Sequence, residues 1–541
     1  MTNSADKKYL FFLGIVILGS GALLAALDGK ASWAGGWLGY SILLMMAALS
    51  IFGTWKMVQG DRAVGTAAVT AFLLRMGLGV LFMLILPEAG YQNNPVSQAG
   101  YLYKDAYVRD QQAWSLAVSN GGLLEAFAGT YSGDQYGGLL ALSALVYRYL
   151  GFGFHRPWLV LILTAAVSGM GILWLWKAAR EWLDGANPPD HSDGKRSPGL
   201  FIPIAAAWIF ALYPEGVFLG AAHMREPFVM ACTALALYSL TQVRKKPRLW
   251  WSWFVLAVVI LFLFQLPVAL AVIVVSAGWL LLEYGRRLSW KDLLFITGIF
   301  ILGVVLVIWN WMNLPSLVYA NPLTIFRDWL QNNFGFQSYL VERQSGMIQK
   351  LVQGAGKGWM LPIILVYGFA QPVLPATIVD PAVWFWRAFN ILRSLGWYVL
   401  VFLLIYNLVV TFSARLQTRR MIRIWLSLVV FAWILIAAAN AGGDMWDNPR
   451  YRAMFLAYQA LLAAWALWWA LSKKDVWLWR WLAVEGVFIL AFLEWYISRY
   501  FPAIPHLSIW VMIVLTLSVC SLILAGGWVW DWKMKRRREE A

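Results

Sequence analysis

Charged side chains are scarce in this sequence: only 13% of its 541 residues are Asp, Glu, Lys or Arg, whereas 61% are hydrophobic. A soluble domain cannot hide that much apolar surface, so the composition excludes a soluble globular protein. The apolar residues form long runs, and a run of about 20 apolar residues matches the thickness of the hydrocarbon core of a bilayer. The sequence therefore predicts a polytopic membrane protein.

Cysteine is nearly absent as well. Cys232 and Cys520 are the only two, and both lie inside apolar runs, where small buried hydrophobic residues are expected rather than a disulfide. No CxxC motif and no His/Cys cluster occurs, which argues against a zinc site. Internal repeats are also lacking, and this weakens the case for a transporter built from inverted halves. No cleavable leader is expected at the amino end.

The net charge is +16, but the basic residues do not form a patch suited to nucleic acid. They occupy short loops between apolar runs, as the positive-inside rule requires of cytoplasmic loops. The clusters are Lys7-Lys8, Arg244-Lys245-Lys246, Arg286-Arg287, Arg415 to Arg423, Lys473-Lys474 and Lys533 to Arg538. We therefore expect a cytoplasmic (inner) membrane protein with both termini in the cytoplasm and no nucleic-acid partner.

The apolar runs predict about fourteen transmembrane helices. These cover residues 9–27, 33–57, 64–86, 157–177, 199–219, 226–243, 249–265, 267–283, 292–313, 388–412, 424–440, 451–471, 476–497 and 507–530. Two large outer loops remain, so the chain divides into five consecutive segments. They are an amino-terminal three-helix segment (1–87), the first outer loop (88–156), central helices (157–313), the second outer loop (314–387) and carboxy-terminal helices (388–541).

Two apolar stretches test this topology. Residues 137–151 are too short to cross a bilayer, and Tyr147, Arg148 and Tyr149 suit a helix that lies in the interface. Prolines interrupt residues 359–386, so no continuous helix is expected there. If only one stretch crossed the membrane, every basic cluster after it would move to the outer face. If both crossed, the orientation of the region between them would be reversed. Charge bias favours both stretches staying on the outer face.

Acidic residues stand out in the first outer loop, where YLYKDAYVRDQQAW (101–114) follows a long apolar run. Asp105 and Arg109 are four residues apart and could form an exposed helical ion pair. Alternatively, a carboxylate held beside the membrane can act as a general base toward a hydroxyl. Loops on a rigid scaffold are where reactive groups tend to lie, so Asp105, Asp110 and Asp134 are candidates.

Several stretches resemble GT-C glycosyltransferases, which are integral membrane enzymes that use polyprenyl-phosphate-linked sugars. They include protein mannosyltransferases and aminoarabinose transferases. The resemblance begins with KDAYVRDQQAWSLAVSNG, SGDQYGGLLALSALVYRYLGFGFHRP and the span ending in LWKAAREWLDG. It continues with AAAWIFALYPEGVFLGAAHMREPFVMACTALALY and NPRYRAMFLAYQALL, and so extends from residue 88 to around residue 470.

This resemblance implies an all-α, GT-C-like membrane fold with two large outer loops that carry interfacial helices. It also implies an aspartate in the first outer loop as the catalytic base, and Asp105 takes that place. Because Ala106 follows it, Asp110 would supply any second carboxylate. The implied donor is a polyprenyl-phosphate-linked sugar, the acceptor is a glycan, lipid or protein, and the anomeric configuration inverts. No cofactor is assigned, and a divalent cation at the site is left open.

Three polar residues at an outer turn are candidates for substrate binding. His223, Arg225 and Glu226 precede Pro227, which suits the first turn of a helix, and Glu226 would complement the dipole there. Alternatively, Arg225 holds a phosphate in its guanidinium fork while Glu226 or His223 orients it. For His223 alone, a structural hydrogen bond is the simpler role.

Further candidates lie elsewhere in the predicted outer segments. Arg450 and Arg452 run against the positive-inside bias, so they either snorkel to lipid phosphates or bind the phosphate of the donor. Arg343 belongs to an amphipathic stretch of the second outer loop and either faces solvent or binds substrate. Tyr107 either stacks on a sugar or anchors its segment at the interface.

Two other classes of protein fit parts of the pattern. A polymerase or ligase of O-antigen or exopolysaccharide also has many spans and a large outer loop, but it would not depend on Asp105. A transporter of lipid-linked glycans would need ionisable groups at mid-depth in several spans, and most of these spans have none near their centres.

Overall fold

The structure is a computed structural model of the chain. It describes residues 4–127, 131, 136–184, 198–243, 245, 247–284, 298, 354, 359–413, 420–442, 444–499, 501 and 503–540. The described residues form two compact units. Unit 1 takes its residues from Met1–Gly185, Pro203–Tyr319 and Ala453–Tyr458, and unit 2 takes its residues from Ala186–Ile202, Ala320–Arg452 and Gln459–Ala541. Each unit is thus assembled from interleaved pieces of chain, and the predicted division into five consecutive segments stays a prediction.

Unit 1 is a bundle in which long apolar helices surround α7. In chain order its helices are α1 (Ser4–Asp28), α2 (Trp33–Met57), α3 (Arg62–Ala89), α4 (Pro95–Gln98), α5 (Lys104–Val118), α6 (Gly138–Leu150), α7 (Trp158–Asp184), α8 (Pro198–Leu212, its first residues assigned to unit 2), α9 (Pro214–Gly220), α10 (Glu226–Thr241), α11 (Pro247–Phe264) and α12 (Leu266–Tyr284). A short 3-10 helix, Leu123–Phe127, lies between α5 and α6.

Helix α7 forms the centre of unit 1, where it packs against α2, α3 and α10. Small residues allow the closest of these approaches: a Cβ atom added to Gly171 of α7 would lie 3.0 Å from Cα of Ala231 in α10. Small residues at helix crossings are typical of membrane proteins, in which close van der Waals contact replaces the hydrophobic effect between helices.

Unit 2 contains the remaining helices. They are α13 (Met360–Ala370), α14 (Leu374–Val379), α15 (Trp384–Ser413), α16 (Arg420–Ala441), α17 (Asp447–Ala453), α18 (Leu456–Lys473), α19 (Val476–Ile497) and α20 (Ile509–Glu540). Residues 453–458, at the end of α17 and the start of α18, are an exception and belong to unit 1. Helix α13 packs against α16, and α14 packs against both α15 and α19. Helices α19 and α20 form an antiparallel pair whose apolar side chains face mainly outward from unit 2.

Helix length and hydropathy establish an all-α, multi-pass membrane protein. Among the described residues, nine helices are long and apolar enough to cross a bilayer, or eleven if each of two bent pairs counts as one span. The predicted spans at 226–243 and 249–265 correspond to shorter apolar helices, and the predicted span at 292–313 lies outside the described residues. The predicted short helix at 137–150 is confirmed as α6, and the proline-rich stretch is broken into α13 and α14, as expected.

A sharp bend of 56° separates α8 from α9. Pro214 ends the hydrogen-bonding pattern of α8, since proline has no backbone N–H, and the last carbonyls of α8 therefore need other donors. The fully buried Arg75 of α3 supplies them: its guanidinium donates to the carbonyls of Ala211 at 2.9 Å and Phe210 at 3.2 Å. Because Arg75 is not exposed, its guanidinium takes the place of water at this helix end.

A second bent pair, α17 and α18, turns by 73°. The residues of this bend belong to unit 1, where the hydroxyl of Thr233 in α10 donates to the carbonyl of Met454 at 3.4 Å. A Cβ atom on Gly216 of α9 would lie 3.0 Å from a methyl carbon of Leu456. This second bend therefore packs against α9 and α10 as part of unit 1.

We predict that Arg75→Met destabilises the protein, because the α8 carbonyls would remain buried without donors. The expected loss is on the order of 3 kcal/mol of unfolding free energy, measured as a lower apparent melting temperature of the purified chain in detergent. The exposed Arg62, at the start of the same helix, provides the matched control Arg62→Met. Equal melting temperatures for the two variants would contradict the role given to Arg75.

Candidate functional site

Helix α5 carries the two aspartates that the sequence singles out, and it presents them differently. Its buried residues recur on one helical face, in the spacing of an amphipathic helix; they are Ala106, Arg109, Asp110, Ala113, Leu116 and Ala117. Asp110 belongs to this inner face. Asp105 is exposed in the first turn, where a carboxylate complements the helix dipole. The two positions are about 140° apart around the helix axis.

Asp110 is almost completely buried, and several polar side chains surround its carboxylate. The hydroxyl of Tyr101 donates to Oδ2 at 2.5 Å, and the hydroxyl of Tyr147 from α6 donates to Oδ1. Nε2 of His155 lies 2.7 Å from Oδ2, and Nε2 of His223 lies 4.0 Å from Oδ1. A buried carboxylate is costly unless such partners surround it. We call these five residues the Asp110 cluster.

The two histidines of this cluster come from turns on either side of α5. His155 precedes α7, and its ring stacks on Trp114 of α5 at a centroid distance of 5.2 Å. His223 lies in the turn between α9 and α10, and its Nε2 is 2.7 Å from the carbonyl oxygen of Pro157. A carbonyl can only accept, so Nε2 of His223 carries the hydrogen.

Burial and mutual contact shift the pKa values within the cluster. Burial, the largest influence on Asp110, raises the pKa of its carboxyl, but His223, His155 and Tyr101 together outweigh burial and hold that pKa below its ordinary value. Burial lowers the pKa of His223, against the opposing effect of Asp110. Burial and the Asp110 charge both raise the pKa values of Tyr101 and Tyr147. At neutral pH the cluster therefore holds an ionised Asp110, a neutral His223 and neutral tyrosines.

Two arginines fix α5 along the rest of its length. Arg148 of α6 donates to the carbonyls of Leu116 at 2.7 Å and Ala117 at 3.1 Å, which belong to the last turn of α5. Arg109 of α5 itself donates to the carbonyl of His223 at 3.1 Å. The helix is thus held at its middle and at its carboxyl end, while Lys104 and Asp105 of its first turn remain exposed.

The turn that contains His223 also places Arg225 and Glu226. Both are buried; Arg225 precedes α10, and Glu226 is its first residue, so the predicted helix start is confirmed. The guanidinium of Arg225 lies over the ring of Tyr136 at 4.9 Å. Tyr107, which is half-buried, packs edge-on against Tyr101 at 5.4 Å. The structure therefore brings Asp110, His223 and Tyr107 together through the ring of Tyr101, which also lies 5.3 Å from the ring of His223.

Arg450 and Arg452 belong to unit 2. Nη1 of Arg450 lies 3.0 Å from Oδ1 of Asp447. The fully buried Arg452 donates to the carbonyls of Gly368 at 3.3 Å and Phe369 at 3.2 Å, which end α13. Arg452 thus serves as a helix cap in this conformation, and its predicted binding of substrate phosphate stays a prediction, as does that of Arg450.

Buried Arg393 of α15 is a neighbour of this region that the sequence did not suggest. Its guanidinium lies 5.3 Å from the ring of Phe389 and 5.1 Å from that of Trp446, and it donates to the carbonyl of Trp446 at 3.3 Å. It is therefore a further buried guanidinium of unit 2, held by aromatic faces and a carbonyl.

Sequence reasoning missed three members of the Asp110 cluster: Tyr101, Tyr147 and His155. Histidine is rare here, with four in the whole chain, and His155 and His223 both lie at ends of apolar runs; that rarity was the available signal. Two other predicted site residues, Asp134 and Arg343, lie outside the described residues.

Metal binding finds no support in the part of the chain that the structure describes. Within it, no group of three or more His, Cys, Asp and Glu side chains has an arrangement that could hold a metal ion.

Comparison with known proteins finds no matching family model, and no curated protein matches the sequence. What is established is a multi-pass, all-α membrane protein with a buried aspartate–histidine–tyrosine cluster in unit 1.

The direction of the His223 pKa predicts how stability depends on pH. A histidine whose folded-state pKa is lowered contributes stability above its ordinary value of about 6.5, and this is lost as pH falls below that value, because only the unfolded chain takes up the proton. The lowered pKa of Asp110 acts at more acidic pH, below its ordinary value of 3.8. Between pH 7.5 and 5.5, the loss of melting temperature should therefore be smaller in His223→Gln than in the wild type.

The matched control for this measurement is His506→Gln. His506 is exposed in unit 2 and hydrogen-bonds to Ser498 at 2.8 Å. This variant removes an exposed imidazole outside the Asp110 cluster, so it shows how loss of a histidine from unit 2 affects the melting temperature at the two pH values. If His223→Gln behaves in the same way as the control, the neutral state assigned to His223 is wrong.

Proposed function

We propose that the chain is a membrane glycosyltransferase of the GT-C type, which moves a sugar from a polyprenyl-phosphate donor to a glycan, lipid or protein acceptor. The observation that carries the proposal is the exposed Asp105 carboxylate on helix α5, whose buried face and carboxyl end are held by other segments. The Asp110 cluster holds the middle of α5, and Arg148 holds its end. A base must keep its position relative to the reacting atoms, and a fixed helix provides that.

In the proposed reaction, Asp105 accepts the proton of an acceptor hydroxyl while the acceptor oxygen attacks the anomeric carbon of the sugar. The bond between that carbon and the phosphate oxygen breaks, and the polyprenyl phosphate leaves with the electron pair. A single displacement of this kind inverts the anomeric configuration. Arg225, which belongs to the same unit as Asp105, is the proposed source of positive charge for the leaving phosphate, and the phosphate-binding roles of Arg450, Arg452 and Arg343 stay predictions.

The roles of the two aspartates differ in this proposal. Asp110 is 2% exposed and already surrounded by donors, so a substrate has no access to it in this conformation. We assign it to positioning α5, together with His223, and we assign the proton transfer to Asp105 alone. Tyr107 and Asp134 remain proposed contacts of the substrate. Glu226 is not exposed in this conformation, so its contact with a substrate stays a prediction.

The first test is transfer by the purified full chain. Undecaprenyl-phosphate-linked glucose, mannose and aminoarabinose serve as donors, and a lipid and glycan extract of cell envelopes serves as acceptor. Asp105→Asn should lower the rate by about 10²- to 10⁴-fold, the usual contribution of a general base, and should leave the melting temperature unchanged. Glu88→Gln, at an exposed acidic residue of α3, is the matched control and should transfer normally.

Other outcomes of this test point to the other classes of protein. Full transfer by Asp105→Asn would remove the base from the mechanism and would favour a polymerase or ligase. Movement of the lipid-linked sugar across vesicles, with no new glycosidic bond, would favour a transporter.

A second variant separates positioning from catalysis. Asp110→Asn keeps the shape of the side chain but removes the charge that the cluster is built around, so both the melting temperature and the rate should fall. A loss of rate at unchanged melting temperature would instead assign the chemistry to Asp110.

A further inference from the structure

The turn between α6 and α7, residues 151–157, is attached to the amino-terminal hairpin of α1 and α2. Its Arg156 is fully buried, and the guanidinium donates to the carboxylate of Asp28, the last residue of α1. The same guanidinium donates to the carbonyl of Ser32, just before α2, at 2.6 Å and to the carbonyl of Gly151 at 3.3 Å. One side chain therefore ties both ends of the α1–α2 connection to this turn.

Glycines in α2 make the attachment close. A Cβ atom on Gly36 would lie 2.5 Å from Nη1 of Arg156, and a Cβ atom on Gly39 would collide with the carbonyl oxygen of Leu150. A larger residue at position 39 would push α2 away from this backbone, and one at position 36 would displace the guanidinium of Arg156. The backbone of α2 and the turn thus form one tightly packed surface around the ion pair.

His155 is the chain neighbour of Arg156, and its ring faces the opposite way, into the Asp110 cluster. The ring contacts Asp110 at 2.7 Å and meets the ring of Tyr147 edge-on at 5.1 Å. The position of His155 depends on where the turn is held, because the next residue, Arg156, is bound to Asp28. The hairpin and the cluster are therefore joined through two consecutive residues.

We propose that the α1–α2 hairpin positions His155 through the Asp28–Arg156 ion pair, and that Asp28 is a positioning residue for the α5 site. In this proposal the hairpin contributes to the geometry of the α5 site and is not only a membrane anchor. Its effect on sugar transfer rests on the proposed function, whereas its effect on His155 does not.

The physical reason is the environment of the ion pair. Both side chains are buried, with Asp28 6% exposed and Arg156 not exposed. Removing one partner leaves the other charge buried without its counter-ion, which drives the structure to rearrange until the charge reaches water or a new partner. The turn is the segment that must move, and it carries His155 with it.

The test measures access to His155 directly. The purified full chain is treated with diethyl pyrocarbonate, which modifies accessible imidazoles, and the modification rate of the His155 peptide is followed by mass spectrometry. The His155 ring is 19% exposed, so a basal rate is measurable. We expect Asp28→Asn to raise that rate several-fold and Asp28→Glu, which keeps the charge, to restore most of the protection.

Two controls separate positioning from general unfolding. Lys30→Gln changes an exposed charge in the same α1–α2 connection and should leave the His155 rate unchanged. The exposed His506 of unit 2 is the internal reference, and its rate should be equal in all variants. A rise at His506 together with His155 would indicate global unfolding and would overturn the proposal for that variant.

An unchanged His155 rate in Asp28→Asn would overturn the proposal outright. If Asp28→Asn does not fold, Gly36→Ala carries the test, because its added Cβ would lie 2.5 Å from Nη1 of Arg156 and displace the guanidinium. A His155 rate equal to that of the wild type in this variant would contradict the coupling. If the wild type transfers no sugar, the proposed function fails, but the modification rates still decide whether the hairpin positions His155.

Discussion

The structure depends on one constraint: carbonyl groups at the ends and breaks of its helices must be satisfied where water is excluded. Guanidinium groups do this repeatedly. Arg75 holds the end of α8, Arg148 the end of α5, and Arg452 the end of α13. A guanidinium suits the task because it offers several donors in one plane, and its charge complements the negative end of the helix dipole.

This use of arginine explains why buried positive charge is abundant in a chain with few charges overall. An arginine bound to several carbonyls is desolvated, but backbone acceptors take the place of much of the water that its guanidinium loses. The arrangement also fixes one helix relative to another. When the terminal carbonyls of one helix are bound by an arginine of a second helix, movement of the first along the second would break those hydrogen bonds. The fixed placement of α5 follows from this, because α6 holds its last turn through Arg148 and its middle through Tyr147.

The Asp110 cluster supplements these caps with a single buried negative charge. Phenol hydroxyls and imidazoles from separate segments converge on one carboxylate, so the cluster connects Tyr101 before α5, α6, the turn before α7 and the turn before α10. In a low dielectric the hydrogen bonds of such a cluster strengthen one another, because each group that stabilises the Asp110 charge also favours the contacts of the others with that charge. The segments around α5 are thereby joined at one point.

Much of the architecture could be predicted from the sequence because bilayer thickness imposes a length on apolar runs. The short helix α6, the broken stretch at α13 and α14, and the start of α10 at Glu226 all followed from length, proline and capping patterns. The site was harder to predict, because it depends on which residues meet across long separations. Nothing in the local pattern around Asp110 shows that Tyr147 and His155 will reach it, or that its side chain is turned inward while Asp105 is turned outward.

The bend between α17 and α18 has a consequence for how the protein is made. Residues 453–458 complete unit 1, although the rest of that unit lies well before them in the chain. During synthesis, α9 and α10 are therefore made well before residues 453–458, against which they pack in the finished protein. Until then, Thr233 and Gly216 lack the neighbours that they have in the finished protein. The amino-terminal bundle therefore reaches its final packing only after residues 453–458 have been synthesised.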